Sequence, residues 1–99
     1  MLNISKEKNG TELTFALEGR LDTITAPQFE SEIREEIEDV TALTIDCEKL
    51  EYISSAGLRV LLSAQKIMNN KGTMVVRKVS EEVMEIFEVT GFSDILTIE

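Results

Sequence analysis

The stretch Tyr-Ile-Ser-Ser-Ala-Gly-Leu-Arg-Val-Leu-Leu, residues 52–62, decides the fold of this chain. An alternating segment, Leu43 to Glu48, comes before it and predicts a strand. Apolar residues at helical spacing follow from Leu58, so Ser54 and Ser55 stand where a strand gives way to a helix. A strand that leads into such a helix is typical of β-α-β units, which pair their strands in parallel.

The start of this predicted helix is also the best candidate site in the sequence. The first backbone N–H groups of a helix have no intrahelical partner, and the local dipole is positive. An anion is therefore stabilised there, and a serine hydroxyl at that point suits a reversible phosphate. The alternative is that Ser54 and Ser55 only cap the helix. The residues alone leave both interpretations open, because Ser-Ser-x-Gly is a weak motif.

The composition indicates one small domain over residues 1–99. Hydrophobic residues make up 42% of the 99 residues, which suits a folded core. No run approaches the roughly 18 apolar residues of a membrane span. The N-terminal segment also lacks the apolar centre of a signal peptide. We therefore expect a cytoplasmic protein without direct membrane insertion.

Charge and residue usage exclude several kinds of function. The net charge is −9 and no basic stripe is visible, so binding to nucleic acid is disfavoured. The chain has no His, which removes the commonest general base and metal ligand. The single cysteine, Cys47, alternates with strand residues and is expected to fill the core. Asp46 and Glu48 are too few for a magnesium site. The sequence also shows no Gly-rich phosphate loop and no paired-carboxylate cleft, so we expect no metal, no cofactor and no enzymatic activity.

The N-terminal half predicts a hairpin and a surface helix. A weak strand over Leu2–Lys6 is followed by Asn9-Gly10, a hairpin signal, and by an alternating strand that ends at Gly19-Arg20-Leu21-Asp22. A helix opens at Thr25, which could form a capping box with Gln28. Its apolar stripe is Phe29, Ile33, Ile37 and Val40.

The C-terminal half predicts one more helical crossover. Gly72 is expected to end the second helix in the left-handed conformation, before a central strand over Thr73–Val76. Ser80 caps a third helix that Gly91 stops, and residues 95–98 could form a last short strand.

The predicted fold class is α/β, a single domain with a mixed sheet covered by about three to four helices. Its parallel core carries an antiparallel N-terminal hairpin. The second helix has an apolar arc wider than one core contact needs. We expect burial beyond Ala64 and an exposed contact surface near Leu58.

Three sequence features resemble the STAS domain family, and within it the stand-alone anti-sigma factor antagonists. They are residues 19–22 with the helix start at residues 25–27, residues 45–58, and residues 83–87 with Gly91-Phe92. The resemblance covers the whole chain, and its most specific part is residues 45–58.

The resemblance implies a switch between protein partners. The unphosphorylated antagonist would bind an anti-sigma factor that is also a serine kinase, and so release the sigma factor. Phosphorylation of Ser55 would end binding, and a PP2C-type phosphatase would reset the switch. Many members carry Asp immediately before the modified serine, whereas this chain has a second serine there, so Ser54 is the alternative acceptor. The expected partner surface consists of Asp22, Ser54, Ser55, Ala56, Gly57, Leu58 and Arg59.

Two questions stay open at this point. Arg59 lies one helical turn from Ser55 and either pairs with the phosphate or is an ordinary solvated arginine. The protein could also be a STAS-like subunit that docks constitutively on a transport complex.

Overall fold

A computed structural model describes residues 1–99. Its strands and helices, with two short 3-10 turns, are β1 (Leu2–Asn9), β2 (Glu12–Leu21), α1 (Ala26–Glu36), the turn Ile37–Asp39, β3 (Ala42–Ile53), α2 (Ser55–Asn69), β4 (Thr73–Arg77), α3 (Glu81–Thr90) and the turn Phe92–Asp94.

The four strands form one sheet in the order β1-β2-β3-β4. β1 and β2 are antiparallel, whereas β2, β3 and β4 are parallel and are joined through α1 and α2. Leu13, Leu43 and Met74 are direct neighbours across the three parallel strands, and all three are buried. This topology confirms the predicted α/β fold class, with a parallel core and an antiparallel N-terminal hairpin.

One mostly aliphatic core, with three buried phenylalanines, lies between the sheet and the helices. Alternate residues of the strands point into it, as predicted for β2, and α1 contributes Phe29 and Ile33. The rings of Phe15 and Phe29 meet edge to face with centroids 5.4 Å apart, which joins β2 to α1. Cys47 is fully buried, as expected, and burial raises the pKa of its thiol to about 12.

The strands differ from the prediction in length and position. β3 does not end at Glu48 but continues to Ile53, because Leu50 and Ile53 continue its buried face after an irregularity in the pairing with β2. β4 is the last full strand of the sheet and not a central one, since β3 is the only strand that pairs along its length. The predicted last strand is a single parallel bridge between Val76 and Ile98.

Several predicted turn and cap details were wrong. β1 continues past Lys6 to Asn9, which leaves Gly10 and Thr11 as the two-residue hairpin loop. The capping box of Thr25 and Gln28 does not form, because Thr25 Oγ1 donates to the Arg20 carbonyl instead.

Gly72 is not a left-handed cap. It is needed for close packing, since a Cβ there would lie 1.9 Å from the carbonyl oxygen of Thr41. At the end of α3, by contrast, Gly91 has a φ of 83° and stops the helix as predicted.

Candidate functional site at the start of the second helix

Ser54 joins the end of β3 to the start of α2. Its N–H donates to the Leu21 carbonyl at 2.9 Å, so this junction is tied to the end of β2. Its Oγ accepts from the Gly57 N–H at 3.4 Å, and its carbonyl accepts from the Leu58 N–H at 2.9 Å. Ser54 is therefore the N-cap of α2, and its hydroxyl is already engaged with the backbone.

Ser55 is the first residue of α2, and its side chain is exposed. Its hydroxyl forms no hydrogen bond within the protein. The N–H groups of Ser55 and Ala56 belong to the first helical turn, where no intrahelical acceptor is available. A negative group on Ser55 would meet these donors and the positive end of the helix dipole without disturbing the cap on Ser54.

Gly57 and Leu58 lie beneath this exposed surface. A Cβ on Gly57 would come within 2.8 Å of both Ile53 Cγ1 and Leu21 Cγ, so the glycine allows α2 to approach the sheet closely. Leu58 is 4% exposed and belongs to the core. The expectation of an exposed contact surface at Leu58 was wrong, because this side chain turns toward the sheet. Beyond Ala64, Met68 is fully buried, whereas Ile67 remains 37% exposed.

Asp22 holds the turn between β2 and α1. Its Oδ1 accepts hydrogen bonds from the N–H groups of Ile24 and Thr25, each at 3.0 Å. These bonds, that from Thr25 above all, hold the pKa of the Asp22 carboxyl below its ordinary value. The Asp22 carbonyl also accepts from the Ala26 N–H at 2.8 Å. Asp22 thus fixes the loop beside the start of α2.

A shallow groove of about 220 Å³ lies between the first turns of α1 and α2. Ala56 and Arg59 form its α2 side, and Thr23, Pro27 and Glu30 form its α1 side. The sequence did not single out the α1 side as part of the site.

The other residue missed from sequence is Ile24, which is 87% exposed at the tip of the turn that Asp22 holds. An isoleucine within a polar turn, outside every apolar stripe, was the signal that could have identified it. The structure therefore brings Asp22, Ser54, Ser55, Ala56 and Arg59 to one end of the sheet.

The comparison with known proteins agrees with this arrangement. The sequence model of the STAS domain family matches residues 3–99. The chain belongs to the STAS domain family. The match includes β3 and the whole of α2 with its N-cap, Ser54.

Relatives with this STAS domain are named as anti-sigma factor antagonists. BtrV of Bordetella bronchiseptica, a proposed antagonist, is 31% identical over 99 residues, which cover 98% of this chain and 85% of the relative. An antagonist from Mycobacterium paratuberculosis has the same fold, with a TM-score of 0.89 at 21% identity over 99% of this chain and 85% of that one. The Bacillus cell fate determinant SpoIIAA, solved in its phosphorylated form, gives 0.77 at 19% identity over 98% and 91%.

None of the helices could span a membrane. The longest helix, α2, has 15 residues, and no helix combines the length and apolar character that crossing a membrane requires.

Proposed function

We propose that this STAS domain is an anti-sigma factor antagonist that is switched by phosphorylation of Ser55. In the unphosphorylated form it binds an anti-sigma factor through the exposed surface at the start of α2 and so frees a sigma factor. The name of its 31% identical relative supports the class of function. The observation that supports the switch is an exposed, uncommitted serine hydroxyl at the first position of a buried, capped helix.

The choice between the two serines follows from their environments. The Oγ of Ser54 accepts a hydrogen bond from the Gly57 N–H, and modifying it would cost the helix its cap. The hydroxyl of Ser55 is exposed and makes no such bond. Ser55 is therefore the acceptor that can be modified without destabilising the fold, and we retain Ser55 over Ser54.

A phosphate on Ser55 would act on the surface and leave the fold intact. It adds a charge of about −1.5 to −2 at pH 7, which the helix N-terminus tolerates. A partner that covers Ser55 would have to remove water from this group without supplying a matched cation. A penalty of about 3 kcal/mol would reduce the affinity about a hundredfold.

The exposed residues of this surface define where the partner binds. The partner contacts Ser55, Ala56 and Arg59. Asp22 presents the adjacent turn, and Gly57 and Leu58 support the surface from the core. We propose that the anti-sigma factor is also the serine kinase, so that the surface it binds contains the hydroxyl it modifies. A PP2C-type phosphatase would remove the phosphate. The domain itself supplies no catalytic group in this scheme.

The experiment that tests this proposal is a comparison of captured partners. Tagged wild-type protein and Ser55→Glu are used to recover partners from the native cytosol, and mass spectrometry identifies them. We expect the wild type to capture an anti-sigma factor with a kinase domain and Ser55→Glu to lose it. Ser5→Glu, which makes the same change at an exposed serine of the edge strand β1, is the matched control and should bind as wild type does.

Two outcomes would contradict the proposal. If both forms recover the same transport subunits, the domain is a constitutive component of a transport complex. If Ser55→Glu retains the kinase as strongly as the wild type, Ser55 does not control binding.

A further inference from the structure

Arg59 differs from the other three arginines of the chain in its charge partners. Three of the four arginines form ion pairs with carboxylates: Arg20 with Asp22, Arg34 with Glu30, and Arg77 with Glu99. Arg59 has neither an ion pair nor a side-chain hydrogen bond, although the chain contains 19 acidic residues. Its guanidinium group is therefore free for an anion that the unmodified protein does not contain.

The position of Arg59 fits an anion on Ser55. The two residues are four apart on α2, and residues at this spacing are neighbours on one face of a helix, with Cβ atoms about 5–6 Å apart. Helical side chains lean toward the N-terminus of their helix, so an arginine at position 59 can reach back over the turn that contains Ser55. Both side chains are exposed, so neither must leave the core to meet the other.

The one carboxylate that lines the groove is already engaged. Glu30 lines the groove together with Arg59, but its Oε2 lies 3.7 Å from the guanidinium of Arg34 on the same helix. A phosphate dianion would also be the better partner, because guanidinium and phosphate can form two parallel hydrogen bonds.

We propose that Arg59 binds the phosphate on Ser55 as an intramolecular ion pair. The inference rests on the proposed function only in taking Ser55 as the position of the phosphate. The pair gives phosphorylation a second effect on the partner surface. Phosphorylation adds a dianion at Ser55. The ion pair also withdraws from the partner surface the one arginine that is free in the unmodified domain. Arg59 acts here as a positioning residue for the phosphate.

The test measures the phosphate directly. Phosphoserine is incorporated biosynthetically at position 55 of the full chain, and the phosphate is titrated by phosphorus NMR in wild type, Arg59→Gln and Arg59→Lys. We expect the second phosphate pKa to be about half a unit higher in Arg59→Gln than in wild type, because an exposed pair is a modest interaction. Arg59→Lys should restore part of the shift, and 1 M salt should reduce it.

The matched control is Lys66→Gln. It removes one positive charge from an unpaired, exposed side chain of the same helix, eleven residues from Ser55. Its phosphate should titrate as in wild type, which separates a local pair from a change in net charge. The effect of the helix dipole is common to all variants and cancels in the comparison.

An identical phosphate pKa in wild type and Arg59→Gln would overturn the proposal, as would an equal rise in Lys66→Gln. The readout needs neither the kinase nor the partner. A result against Arg59 therefore leaves the proposed function standing, and a failure to find a Ser55 kinase leaves the Arg59 result valid.

Discussion

Replacing Gly57 with alanine should push α2 away from the sheet. The added Cβ would lie 2.8 Å from Ile53 Cγ1 and Leu21 Cγ, and 3.0 Å from the Leu21 carbonyl oxygen. Leu21 and Ile53 are fully buried, so neither has free space to yield. Overpacking of this kind costs up to about 3 kcal/mol, and the better helix propensity of alanine returns about 1 kcal/mol. We expect a net loss of about 2 kcal/mol.

Urea denaturation gives this loss as a lower midpoint at an unchanged m-value. The Leu21 carbonyl also accepts the Ser54 N–H, so the amide resonance of Ser54 should shift in Gly57→Ala, and binding of the partner should weaken. Gly10→Ala is the control. Gly10 has a φ of 62°, so an alanine there costs about 1 kcal/mol of stability, and it lies at the opposite end of β2 from Gly57. This substitution should leave binding unchanged. If Gly57→Ala is as stable as the wild type, the close approach of α2 to the sheet is refuted.

Three further predictions concern single side chains. Ser54→Ala should cost about 1 kcal/mol by urea denaturation through loss of the cap, whereas Ser55→Ala should change stability by less than about 0.5 kcal/mol; equal losses would contradict the assignment of Ser54 as the cap. Asp22 has a lowered pKa in the folded protein, so its stabilising contribution is complete above pH ~4 and is lost as the pH falls through the folded value. The stability difference between wild type and Asp22→Ala should therefore shrink in acid, and a difference that grows would refute this sign. Cys47 should react with a thiol reagent only on unfolding, since its thiol is buried with a pKa of about 12; rapid modification of the native protein would contradict its place in the core.

The sheet and its helices could be predicted because local pattern and global fold agree in this chain. Alternation in β2 and the stripe of Phe29, Ile33 and Ile37 in and after α1 both point into the core that the structure shows. The third strand was predicted too short, since its buried residues lose strict alternation after Cys47, where the pairing with β2 is irregular. A period of two cannot continue through such a shift.

The position of the site along the sequence could be predicted, but not which of its side chains are buried. The motif placed the helix start at Ser54 and Ser55, and the structure agrees. It could not show that Leu58 is buried, because a helix with a wide apolar arc gives no signal for the side that faces the sheet. The α1 side of the groove depends on how the first turns of α1 and α2 lie beside each other, and contacts between segments distant in sequence leave no periodic pattern.

Control of binding by Ser55 is best tested by measuring the affinity of the captured anti-sigma factor for two forms of this domain. One form carries the free hydroxyl of Ser55, and the other carries a biosynthetically installed phosphate on the same residue. Isothermal titration calorimetry measures both under identical salt. We predict that the phosphate weakens binding about a hundredfold while the thermal stability of the domain is retained. Equal affinity of the two forms would contradict it.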